Sequence, residues 1–235
     1  MTVAIIIAGG VGSRIGADIP KQFIKVNGKP ILAYTLEAFQ RHQLIDAIAV
    51  VCIEGWQDEV KSYVNDYGIN KLQLIVSGGG SAQESIRNGV FALEGRSAKD
   101  DVVVIHDGIR PLVDPTVLDD VITTAKRLGN GVTSMPYNEQ IFIVANDDSS
   151  TTTQYIPRET LRRVSTPQAY RFDLLDEKYH EAFDKKIGIY GSSYTNTMMV
   201  ELGVRLNFAK GSDRNIKLTT PSDIRIFKAM LAEET

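Results

Sequence analysis

One cysteine, Cys52, stands in the whole chain, inside the apolar run IAVVCI, so neither an internal disulfide framework nor a cysteine metal cluster can form. A small buried hydrophobe is the ordinary reading of such a thiol. An excess of positive charge is missing too. The net charge is -3 and the sequence pI near 5.7, which excludes a global field able to hold a nucleic-acid duplex; phosphate binding has to be local. Long apolar runs are also lacking. The opening MTVAIIIAGG has no basic leader and is too short for a signal peptide or a membrane span, so the expectation is a cytoplasmic protein away from membranes. No stretch is rich enough in Pro, Gly or Ser to separate domains, and no repeat is visible. A single domain over residues 1–235 follows, with 43% hydrophobic residues for one large core.

What is present is alternation. VAIIIAG (3–9), AIAVVCI (47–53), LQLIVSG (72–78), DVVVIHDG (101–108) and GVTSMPY (131–137) read as strands buried on both faces of a mainly parallel sheet. Between them 31–42, 56–68, 81–95 and 114–129 read as helices, the last entered through Asp114-Pro115 and closed at Gly129. This predicts a doubly wound α/β fold. From about 138 to 165 the pattern breaks: QIFIV, a polar tip DDSSTTT and a second extended stretch suggest a projecting β-arm, with a surface loop as the alternative. A helix, a strand VRLNFAKG (204–211) and a terminal helix after Pro221 complete the chain.

Three places carry chemistry. IIIAGGVGSRIGADIPKQF (5–23) is a strand running into a glycine turn: Gly9, Gly10 and Gly12 let backbone N–H groups approach a phosphate, with Arg14 and Lys21 behind them as cations. A P-loop ending is absent. The dinucleotide fingerprint fits from Gly10 to Gly12 but sets Arg14 and Ile15 before Gly16, so a nicotinamide-dependent oxidoreductase stands as the rival that leaves Pro20-Lys21 unexplained. VVVIHDGIRP (102–111) puts Asp107, a hard-oxygen ligand suited to Mg²⁺, and Arg110, an anion clamp, at a strand's carboxyl edge; a plain turn with a surface ion pair is the bland alternative. His106 reads as structural. GSDRNIKLTTPSD (211–223) sets Lys217 just before a helix capped by Thr220 or Ser222, in reach of phosphate or simply solvated.

Together with SGGGSAQES (77–85) and IPRETLRRVSTPQAYRF (156–172), these blocks resemble, in order and over nearly the whole chain, the cytidylyltransferases that make CDP-alcohols, from methylerythritol 4-phosphate or ribitol 5-phosphate. The resemblance implies a Rossmann-like three-layer nucleotidyltransferase fold and transfer of CMP from CTP to an alcohol phosphate with release of pyrophosphate. It implies that Gly9, Gly10 and Gly12 line the nucleotide site, and that Gly79 and Ser85 contact cytosine and ribose. Arg14, Lys21 and Lys217 would stabilise charge on the triphosphate, Asp107 would hold Mg²⁺, and Arg110, Arg158 and Thr166 would bind the acceptor. The arm implies a homodimer in which Arg158 acts in trans. A phosphate monoester is already a nucleophile, which agrees with the lack of a visible Ser-His or Cys-His pair.

Some positions depart from the family pattern. Ala82 stands where an arginine is usual, Glu139-Gln140 where Asp-Thr is usual, and Asn196 where acids are expected. Those changes put the acceptor, and even turnover, in question. Trp56 in IEGWQDEV, IPR before TPQ, and Arg214 before Asn-Ile-Lys are similar to the polyol enzymes. The expectation is a CDP-alditol, CDP-ribitol first, with CDP-methylerythritol as the alternative and a nucleotide-binding protein that has lost catalysis as a further one.

Overall fold

The structure is a computed structural model that describes residues 1–10, 19–145, 149–191 and 194–233. Strand β1 (Thr2–Ala8) ends just before Gly9 and Gly10. Beyond it come β2 (Lys25–Val26), β3 (Lys29–Pro30), α1 (Ile31–Arg41), β4 (Ala47–Cys52), α2 (Gln57–Asp66) and β5 (Leu72–Ser77). Next are α3 (Ala82–Phe91), β6 (Val102–Asp107), α4 (Pro115–Leu128) and β7 (Asn130–Pro136). The arm is β8 (Ile141–Ile143) and β9 (Gln154–Ile156), followed by β10 (Arg162–Arg171), α5 (Phe172–Lys185), α6 (Thr195–Glu201), β11 (Phe208–Lys210) and α7 (Pro221–Glu233).

Seven strands form one sheet in the order β11-β7-β10-β6-β1-β4-β5. All of them run the same way except β10, which is antiparallel to both β6 and β7. The reason β1 is apolar from Val3 to Ala8 is visible in its two cores. Ala4, Ile6 and Ala8 face a layer holding α1, α2 and α4, whereas Val3 and Ile5 face a layer holding α3, α5 and α6. Each fully buried isoleucine contributes roughly 2–3 kcal/mol of transfer free energy, so β1 anchors both layers. The chain leaves β1 for β4 and β5 on one side and returns to β6 on the other. That reversal opens a crevice at the carboxyl ends of β1 and β6.

Helix ends follow their local chemistry. Pro115 opens α4, and Gly129 closes it at φ 87°, a left-handed conformation that favours glycine. Thr220 caps α7: its Oγ1 accepts from the Asp223 amide while Asp223 Oδ2 accepts from the Thr220 amide.

Two expectations change. The second extended stretch of the arm region is not all arm, because from Arg162 the chain re-enters the main sheet as β10, and only β8 and β9 form the separate hairpin. The strand expected over 204–211 shrinks to Phe208–Lys210, since Val204 and Leu206 pack against the core beside α6 instead of pairing.

Candidate active site

A cleft of about 610 Å³ opens at this crevice. Its lining includes Gly9, Gly10, Lys21, Gly79, Ser85, Asp107, Arg110, Thr166 and Lys217, nine of the twelve site residues expected from sequence. Gly12 and Arg14 lie outside the described residues. Arg158 stands elsewhere, on the arm.

The glycine wall is built by close approach. A Cβ on Gly79 would come within 2.4 Å of Glu84 Cβ, and one on Gly9 within 3.0 Å of Ser85 Oγ. Ser85 Oγ accepts from the Gly79 amide at 3.0 Å and donates to the Ser81 carbonyl at 2.9 Å, so the hydroxyl fixes the turn that opens α3. Ser81 caps that helix through its own hydroxyl, which accepts from the Glu84 amide. Ala82 lines the cleft without a charge. On the opposite side, buried Gln22 donates from Nε2 to the carbonyls of Ala8 (2.7 Å) and Gly10 (3.2 Å), tying the one-turn 3₁₀ helix Lys21–Phe23 to the end of β1.

Asp107, the last residue of β6, gathers the charged groups. Its Oδ2 accepts from Arg110 Nε at 2.8 Å and from Thr166 Oγ1 at 3.2 Å, and lies 3.2 Å from Lys217 Nζ. Burial alone would raise the carboxyl pKa, but the Lys217 ammonium and the Arg110 guanidinium outweigh it and hold Asp107 at about 2. The carboxylate is therefore ionised at neutral pH. Thr166 reaches it because β10 carries a register shift between Val164 and Gln168, a bulge that re-aims the intervening residues. Asn215 knots the cluster together: its carbonyl accepts from Arg110 NH1 at 2.8 Å, and its Nδ2 donates to the Thr166 carbonyl at 2.6 Å.

His106 points into the other layer, its ring 5.0 Å from that of Phe39. Its Nε2 donates to the Arg110 carbonyl at 3.0 Å, and burial pushes its pKa down to about 4, so it is neutral and structural, as expected. Trp56 lines no part of the cleft; it stacks on Phe23 beneath Lys21. Arg214 lies outside as well, beside His42 in a separate hollow.

Asp107 is the one carboxylate among the described residues lining the cleft. A single hard-oxygen ligand fits Mg²⁺, which retains most of its shell as water and phosphate oxygens, and does not fit a metal needing a full protein cage. On the arm, Gln140 and Arg158 line a hollow of about 460 Å³ with Phe142 and Tyr155. Arg158 NH1 donates to the Asn138 carbonyl at 3.3 Å, and among the described residues no hydrogen bond or ion pair joins it to the cleft of its own chain. Gln22 and Asn215 escaped the sequence reading because each works through backbone carbonyls, a role with no motif. No described helix is long and apolar enough to cross a membrane.

Residues 2–233 match the family model described as IspD, 2-C-methyl-D-erythritol 4-phosphate cytidylyltransferase. A ribitol-5-phosphate cytidylyltransferase of Lacticaseibacillus paracasei is 56% identical over 234 residues, covering 100% of this chain and 99% of that protein. A 2-C-methyl-D-erythritol 4-phosphate cytidylyltransferase of Geobacter metallireducens is 36% identical over 236 residues, with 98% and 97% covered. The crystal structure of 4-diphosphocytidyl-2C-methyl-D-erythritol synthase from Anaerococcus prevotii superposes with a TM-score of 0.83 at 24% identity, over 98% of this chain and 96% of the other. That last likeness carries the fold.

Proposed function

Since this chain belongs to the 2-C-methyl-D-erythritol 4-phosphate cytidylyltransferase family, we propose that it transfers CMP from CTP to D-ribitol 5-phosphate, giving CDP-ribitol and pyrophosphate. The observation that carries the transfer is the convergence of Arg110 and Lys217 on Asp107 at the edge of a glycine-walled cleft. The choice of acceptor rests on the contrast between 56% identity to the ribitol 5-phosphate enzyme and 36% to the methylerythritol one.

In this reading an acceptor phosphate oxygen attacks the α-phosphorus of CTP. The new P–O bond forms as the α–β bridging bond breaks, and the electron pair leaves with pyrophosphate. The nucleophile is already ionised, so the chain's task is to bring two polyanions together and spread their charge. Gly9, Gly10, Gly12 and Gly79 offer close backbone approach to the nucleotide, and Ser85 holds that wall. Arg14 and Lys21 take the β- and γ-phosphates, while Lys217 takes the α-phosphate. Arg110 and Thr166 hold the acceptor phosphate. Asp107 orients Arg110 and Lys217 and is the residue that would hold Mg²⁺. When bound, Mg²⁺ supplies charge neutralisation between phosphate oxygens.

The arm completes the reading. Phe142, Ile143, Val144 and Tyr155 are exposed there, an apolar surface that a second copy of the chain would cover. Arg158 and Gln140 would then reach a partner's acceptor site, forming a homodimer with shared sites.

The test is pyrophosphate release from CTP and Mg²⁺ with ribitol 5-phosphate, methylerythritol 4-phosphate and the arabinitol, xylitol and glycerol phosphates. Release with ribitol 5-phosphate at a kcat/KM well above the others is expected. Preference for methylerythritol 4-phosphate would overturn the acceptor, and silence across the panel with CTP still bound would overturn the transfer.

A further inference from the structure

From Asp107 and Thr166 the cleft continues along the sheet to Ile105 and Gln168, two residues away on β6 and β10 and opposite one another in register. Asn196 of α6 lines the same cleft. It is only 7% exposed, and its Oδ1 is buried with no hydrogen-bond partner among the described residues. Such an acceptor is costly unless something fills it. The helix that carries it is firmly placed. Thr195 Oγ1 lies 2.7 Å from Tyr179 Oη, the Tyr179 hydroxyl donates to Gln83 Oε1 at 3.1 Å, and Gln83 Nε2 donates to the Gly188 carbonyl at 2.7 Å. Through these bonds α3, α5 and α6 hold the Asn196 backbone in place.

The chemistry of the neighbouring groups says what Asn196 lacks. Arg110 and Lys217 are donors only, and Asp107 Oδ2 is already occupied by Arg110, Thr166 and Lys217. Those cations suit a phosphate. An alditol chain brings a series of hydroxyls, each a donor that needs an acceptor once it leaves water. Asn196, which lines the cleft, offers in Oδ1 a neutral acceptor.

We infer that Asn196 is a specificity-determining residue of the acceptor subsite, its Oδ1 accepting a hydrogen bond from a hydroxyl of the polyol chain. This rests on the polyol-phosphate reading above.

Asn196→Ala and the volume-matched Asn196→Leu are the variants to make. Each is assayed for KM and kcat with ribitol 5-phosphate at saturating CTP, for CTP affinity by calorimetry without acceptor, and for thermal midpoint. The expected result is a rise of about tenfold in the acceptor KM, the loss of one buried hydrogen bond, with kcat within about threefold and CTP affinity unchanged. Monodeoxy ribitol 5-phosphates then locate the contact: for one analogue the variant and wild-type KM values should coincide. Unchanged acceptor KM, a penalty shared equally by CTP binding, or a penalty kept with every deoxy analogue would each overturn the assignment. Failure of the wild-type protein to use ribitol 5-phosphate would overturn the functional reading and this inference together; wild-type turnover with unaffected variants would overturn this inference alone.

Discussion

Trp56 and Phe23 stack face to face, with ring centroids 4.4 Å apart and planes inclined by 17°. Phe23 closes the 3₁₀ turn that begins at Lys21, and Trp56 sits just before α2 at the carboxyl edge of β4. The tryptophan is thus a positioning residue. It braces from below the turn that presents Lys21 to the cleft, while Gln22 ties the same turn to β1 from the side.

Trp56→Ala should therefore lower both stability and turnover. Removing a half-buried indole from a core contact costs about 2–3 kcal/mol, and a loosened lysine costs about tenfold in kcat/KM. Lys21→Ala should behave differently, with kcat down by about a hundredfold or more and an unchanged thermal midpoint, since in the proposed transfer its charge acts on the transition state. Calorimetry paired with initial rates separates the two. Equal stability losses in both variants would count against the bracing role.

A different balance governs the cluster at Asp107. Lys217→Met removes one of the two cations that hold Asp107 ionised, and the carboxyl pKa should rise from about 2. Turnover should fall by about a hundredfold or more with a smaller change in CTP affinity. Loss confined to CTP affinity, with kcat preserved, would move Lys217 out of the chemical step. Asn215→Ala should weaken acceptor binding through Thr166, whose carbonyl loses the bond from Asn215 Nδ2, while the backbone carbonyl of Asn215 still accepts from Arg110. The acceptor KM is expected to rise about fivefold.

Much of this was legible beforehand, and the exceptions have physical reasons. The parallel strands β1, β4 and β6 are buried on both faces, so their apolar runs announce them directly. Strand β10 does not announce itself. Arg162, Arg163 and Val164 are exposed where the strand runs beyond the core, Pro167 follows Thr166 at the bulge, and only from Pro167 to Tyr170 is the strand buried. The glycine turn, Asp107, Arg110 and Lys217 could be found because charge and glycine at strand ends have few other uses. Gln22 and Asn215 bond to carbonyls that only the folded chain brings near them.

The shared-site reading of the arm makes a prediction that no single-chain effect imitates. Arg158→Ala should raise the acceptor KM far more than the CTP KM, and Lys21→Ala should be nearly inactive. Mixing the two after subunit exchange should restore about one quarter of wild-type activity, because half the dimers are mixed and each carries one intact site. No recovery, with exchange verified by mass, would place Arg158 and Lys21 in the same site of one chain or outside catalysis.

Acid should erode the stability of the fold over two pH windows, and His106 governs the upper one. Its folded-state pKa is depressed to about 4 by burial, against an ordinary value of 6.5. Between those two pH values the unfolded chain binds a proton that the folded chain refuses. The stability contributed by the neutral imidazole is thus complete above pH 6.5 and is lost as pH falls towards 4, on the order of 3 kcal/mol. Asp107 has the same sign in a lower window: its folded pKa of about 2 lies below the ordinary 3.8, so its share is lost only as pH falls from about 4 to 2. His106→Gln retains a donor towards the Arg110 carbonyl and removes the titration. Urea unfolding of wild type and His106→Gln at pH 7.5, 6, 5 and 4.5 should show a free energy that falls steadily for the wild type and far less for the variant. Parallel slopes in the two proteins would show that the imidazole does not set the acid limit of this fold.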